Sequence, residues 1–297
     1  MNKGFTLIEL VIAMAILGVL TAGMFSLYNT QHKVTHIEED VVDVQQNLRM
    51  AMDSLSKDLR MAGFALTGGE SSIALVNNNG GIGGSDIMTI NTAAASGITA
   101  RIDTGLSTTV SMGTPLTFTV SSGEEAGLFV IGNAVRIINP GDRSQPADTA
   151  FTVDAVDAAA QTITMTPLAN AGAVDFKRGF LIAKTGEGAP DTFPNQVLYC
   201  LGPSSSCAPS VSCSVQNCLM RIVNGSPSDS SVIATNIRDL QFRYLIDGSQ
   251  TEADAPSNLS KVRDVRVSMT GQTVATAELS GTAKLREMTA VAKLRNR

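Results

Sequence analysis

Glu9 is the one carboxylate in an apolar run of 24 residues, Phe5 to Tyr28. An acid inside a membrane span costs about 2.5–3.5 kcal/mol on insertion scales, and a chain that keeps one there has a use for it. The chemistry open to Glu9 is ion pairing in an apolar setting, where a lone charge is expensive and a paired one tolerable. Four cysteines, Cys200, Cys207, Cys213 and Cys218, fall within 19 residues at spacing C-x6-C-x5-C-x4-C. Structural zinc sites use tighter pairs and no C-x-x-C-H haem signature occurs, so the expected chemistry is disulfide formation. His32 and His36 are the two histidines of the chain. Their spacing suits a metal on a helix, but Lys33 stands where an H-E-x-x-H protease needs its glutamate. A solvated helix face is the plainer reading. Asp247, Glu252 and Asp254 offer oxygens without the spacing of an EF-hand. The glycines around Asn79 have no following lysine to make a phosphate loop. With no nucleophile–base pairing in view, the chain reads as a non-enzyme, with no cofactor and no metal implied.

These residues need elements to carry them. As a helix, Phe5–Tyr28 is about 36 Å long, enough to cross a hydrocarbon core. Lys3 before it orients the span with its N-terminus cytoplasmic. A secretory signal would have a shorter apolar core and no need of Glu9. The pattern then continues. Val34, Ile37, Val41, Val44, Leu48, Ala51, Leu55, Leu59 and Ala62 recur at steps of three and four, one face of an amphipathic helix. The first proline is Pro115, so a single helix from Phe5 to Ala62, roughly 87 Å long, is expected to end near Gly63. Gly18 and Gly23 inside the span read as close-packing points.

Beyond residue 64 short β-like runs alternate with turn clusters. Strands are expected at 86–92, 98–102, 116–120, 128–138, 149–156, 162–166, 180–183, 196–201, 218–223, 233–245, 262–270 and 288–294. Residues 77–84 read as a mobile loop. One long helix followed by many strands implies an α+β fold, the helix laid on an antiparallel sheet head spanning 65–297. Residues 118–183 suggest an inserted sub-sheet. The predicted topology puts the head outside the cytoplasm, where disulfides persist. Runs 197–201 and 218–223 read as a hairpin stapling the loop 200–218. Of three connectivities this favours the nested one, Cys200–Cys218 with Cys207–Cys213. The net charge is −5, which gives no general pull toward nucleic acid. Residues 284–297 carry five basic side chains and one acid, +4 locally, read as a solvated strand edge.

Lys3-Gly4-Phe5-Thr6-Leu7-Ile8-Glu9-Leu10-Val11 resembles the type IV prepilin signature, shared by pilins and the pseudopilins of type II secretion. The resemblance implies that residues 1–4 are a leader. A prepilin peptidase would cut between Gly4 and Phe5 and methylate the new amine of Phe5. Residues 5–28 would hold the subunit in membrane lipid and later pack in a filament core. Residues 29–64 would lie on the head. Glu9 would meet the N-terminal amine of a neighbour and set the register between subunits. The segments 58–64, 237–244, 262–270 and 286–296 are similar to those of PilW-type minor pilins and J-type minor pseudopilins. Together the matched parts cover about the first 64 and last 65 residues. The implied function is structural: a minor pilin of the bacterial inner membrane, its head periplasmic, that helps to initiate the tip of a type IV pilus and then sits at the cell surface. Its implied partners are the peptidase, other minor and major pilins and the inner-membrane assembly platform. A secretion pseudopilin and a tip adhesin are the alternatives.

Overall fold

A helix of 55 residues, α1 (Leu7–Met61), dominates the molecule and is about 82 Å long at 1.5 Å per residue. The computed structural model describes residues 7–64, 66, 71–93, 97–142, 144–186, 194–202, 207, 217–225, 230–273 and 283–294. Val44, Leu48, Ala51, Met52, Leu55 and Leu59 are the buried side chains of α1. The three- and four-residue steps bring five of these to one face, with Met52 beside Ala51 and Leu48. The buried stripe starts later than the periodicity suggested. Val34 is 48% exposed and Ile37 and Val41 are only half-buried, because the head does not reach that far along the helix. The helix stops before Gly63, which takes a positive φ of 76°, a C-terminal conformation that favours glycine. The Gly63 amide then donates to the Asn91 carbonyl at 2.8 Å.

The head opens with β1 (Ile73–Asn77) and β2 (Ile87–Thr92). The chain then makes β3 (Thr99–Arg101), β4 (Leu106–Val110), β5 (Leu116–Thr119), the short α2 (Gly123–Gly127), β6 (Ala134–Ile138), β7 (Phe151–Asp157), β8 (Thr162–Pro167), β9 (Gly172–Phe176) and β10 (Leu181–Gly186). It returns through β11 (Asn195–Gly202), β12 (Cys218–Val223), β13 (Ser230–Thr235), β14 (Ile237–Ile246), β15 (Glu252–Ala253), β16 (Val262–Gln272) and β17 (Leu285–Lys293). All described pairings are antiparallel. One sheet runs β1-β2-β11-β12-β13 and a second runs β15-β14-β16-β17. Both contribute to one core with α1: Met88, Tyr199 and Leu219 from the first, Phe242, Val267, Met269 and Ala292 from the second. This is an α+β, pilin-like architecture.

β2 and β11 are hydrogen-bonded neighbours, with Thr92 opposite Asn195. The chain between them is therefore an excursion from one strand pair. Its strands form their own sheet, β3-β10-β6-β7-β8-β5, with β4-β9 beside it. They enclose a separate core around Phe118, Phe151, Phe176 and Ile182. The strands of this excursion begin at Thr99 and end at Gly186, wider than the suggested sub-sheet at 118–183.

Three local expectations change. The strand expected at 128–138 shrinks to Ala134–Ile138, because Gly132 takes φ +91° and the Asn133 side chain caps the Val130 amide at 2.9 Å. The run expected as one strand at 233–245 breaks at Asn236, φ +60°, where the chain passes from the first sheet to the second. The segment expected to be a mobile loop is a tied turn. Buried Asp86 accepts from the Asn79 amide through Oδ1 and from the Phe242 amide through Oδ2, both at 2.8 Å. That one carboxylate binds the turn to β14 and so links the two sheets.

Candidate functional site

The first half of α1 is a lipid-type surface. Leu7, Val19 and Met24 are 81%, 76% and 71% exposed, and every described side chain from Leu7 to Tyr28 faces outward. Among the described residues this is the one helix long and apolar enough to cross a membrane. In water each such side chain would forgo about 1.5–3 kcal/mol of burial, so the segment calls for lipid or other helices around it. Its polar groups are handled within the helix. The Thr21 hydroxyl donates back to the Leu17 carbonyl at 2.8 Å, as a hydroxyl in an apolar medium must. Gly18 and Gly23 meet nothing within 4 Å of where a side chain would begin. Glu9 stands in the first turn, where the helix dipole favours a negative charge. Gly4 and Phe5 lie outside the described residues.

Over residues 1–25 the chain matches the prokaryotic N-terminal methylation motif. Its N-terminus is that of a type IV prepilin-like protein. No curated protein and no solved structure matches the chain beyond chance. The match covers Glu9 and most of the exposed apolar helix, so motif and geometry fall on the same segment. In this prepilin-like chain the motif implies processing by a prepilin peptidase and assembly with other pilins, and proteins of the prepilin type are generally structural.

The head grips the helix at a polar lock. Asp58 Oδ2 accepts from the Tyr199 hydroxyl at 2.7 Å and from Arg221 Nε at 2.6 Å. Burial first, and then the Asp58 charge, hold the Tyr199 hydroxyl well above its ordinary pKa. Arg221 is pulled down by burial and pushed up more by Asp58, with a net rise. Sequence reasoning missed this lock, since its partners lie 141 and 163 residues from Asp58. The lone signal was an acid on the half-buried side of an otherwise apolar stripe. Below the lock, Gly271 of β16 faces α1 so closely that a Cβ there would sit 2.5 Å from Val44 Cγ1 and 3.2 Å from Leu48.

The cysteines pair otherwise than the hairpin suggested. Cys200 is bonded to Cys207, with Cα atoms 5.9 Å apart, and Cys218 is also disulfide-bonded. The nested Cys200–Cys218 bond is excluded. In the β11–β12 register Cys200 faces Met220 and Gly202 faces Cys218, so the two cysteines are not opposite each other. Cys213 lies outside the described residues. Cys200 and Cys207 are buried with Ile87, Met220 and Ile222. Two of the three carboxylates considered for calcium make ion pairs: Glu252 with Arg266 at 2.8 Å and Asp254 with Arg243 at 3.3 Å. Among the described residues no three acidic, histidine or cysteine side chains are grouped to hold a metal.

Proposed function

We propose that this chain is a minor pilin that takes part in initiating the tip of a type IV pilus. A prepilin peptidase cuts it between Gly4 and Phe5 and methylates the Phe5 amine. Residues 5–28 hold it in the inner membrane with the head on the periplasmic side. On assembly the Glu9 carboxylate pairs with the N-terminal amine of a neighbouring subunit and sets the register. The observation that carries this reading is the methylation motif sitting on a helix whose apolar half is fully exposed while its other half is clasped by a head. A cationic amine and an anion are each costly in an apolar bundle and tolerable together. The head supports a minor rather than a major subunit, since the strands between Thr99 and Gly186 add a second cored module to the α1 core.

N-terminal mass spectrometry of protein from native membranes and from sheared surface fibres tests this. N-methylated Phe5 as the first residue in both fractions is expected. The same start in membranes alone would favour a type II secretion pseudopilin. An intact Met1, or a start beyond Ala22, would return the chain to a plain anchor or a cleaved signal.

A further inference from the structure

α1 has a neck, residues 29–36, between its exposed apolar half and the half-buried Ile37 where the head begins. The neck holds both histidines of the chain. Their rings meet edge to face, with centroids 4.4 Å apart and planes at 67°. Glu39 Oε2 is 3.3 Å from Nδ1 of His36, with the two side chains 50% and 65% exposed. With Glu39 beside Nδ1, Nε2 is the His36 nitrogen turned away from the carboxylate, and carboxylates placed so orient histidines that bind metal. Asp40 follows His36 by one further turn. Between residues 32 and 43 four acids, Glu38, Glu39, Asp40 and Asp43, stand against the single Lys33, so the local field attracts cations.

We propose that His32 and His36 form a binding site for a late first-row divalent cation of the Cu2+ or Zn2+ type, with Glu39 as the positioning residue for His36. Two imidazoles at i, i+4 supply borderline nitrogen ligands, which suit these ions and not calcium or magnesium. Water or a group from an adjacent helix fills the remaining positions. A bound ion would tie successive turns of the neck together and stiffen the joint between the apolar helix and the head.

Because the chain has only two histidines, the test is direct. Metal-stripped full-length protein in detergent is titrated with ZnCl2 and with CuCl2 by calorimetry, alongside His32→Ala, His36→Ala, the double variant and Glu39→Gln. Each histidine variant is expected to weaken binding by about tenfold or more, and Glu39→Gln by about tenfold, in line with losses at outer-shell carboxylates. Both imidazole signals in the NMR spectrum should move with Zn2+. The exposed positions leave the thermal unfolding of the head unchanged, which controls for misfolding. One ion per chain, or one per two chains, supports the site. Equal affinity in the wild type and the double variant, or unmoved imidazole signals, overturns it.

Discussion

Asp58 and Asp86 do at residue level what apolar packing cannot. Asp58 takes both its donors from strands 141 and 163 residues away, and Asp86 joins the nearby Asn79 amide to the Phe242 amide 156 residues on, so each fixes a docking geometry as well as burying area. Each also sits beside a buried tyrosine. Tyr199 is raised by burial and then by Asp58; Tyr244 is raised by burial and then by Asp86. In the unfolded chain both would ionise at their ordinary value of 10.0. The folded state holds the proton more tightly, so this contribution to stability is whole below that pH. It is lost as pH rises through the folded-state value. Urea unfolding at about pH 8 and about pH 11 should therefore give a large alkaline loss. Tyr199→Phe should remove part of that pH dependence while costing about 1 kcal/mol at the lower pH, for the hydrogen bond to Asp58. An unchanged pH dependence in that variant would refute the assignment.

At the scale of elements, α1 is one helix with two solvents. Its first half is apolar on all sides and its second half on one face, and β13, β16 and β17 receive that face. The approach is close at Gly271, where a side chain would strike Val44 and Leu48. Gly271→Ala is expected to destabilise the head by about 1–3 kcal/mol, the usual cost of overfilling a packed core. Val44→Ala opens the space that the new methyl needs, so the double variant should be more stable than the two single losses added together. Denaturant midpoints for the four proteins measure this coupling. A simple sum would mean that the helix shifts away freely.

At the scale of the molecule, the head contains two cores that share no buried side chain. A small cluster of Phe64, Ala93, Ile138 and Ala183 lies between them. Cores so separated need not melt together. Scanning calorimetry of the full chain in detergent should resolve two transitions. Phe151 is fully buried and stacks edge-on with Phe176, centroids 6.4 Å apart. Phe151→Ala should cost about 3–5 kcal/mol in the module it fills, lowering one transition and sparing the other. A single transition that moves as a whole would show one cooperative unit. The strands from Thr99 to Gly186 pair only with one another among the described pairings, so this module can vary without disturbing the helix, its lock or the motif before it.

The sequence by itself determined the N-terminal motif, the apolar segment of α1, the helix end at Gly63, the α+β class and most of the strands. Those features rest on local quantities: hydropathy over a few turns, a period of 3.6 or 2, and a glycine at a positive φ. The tertiary structure alone decided the strand partners, the separation of the two cores and the Asp58 and Asp86 ties. It also decided where along α1 full burial begins, which the periodicity placed ten residues too early, since a stripe names a face but not what covers it. The disulfide pairing shows the same limit. Spacing allowed three connectivities, and only the β11–β12 register, a long-range property of paired backbones, set Cys200 apart from Cys218 and left it to Cys207.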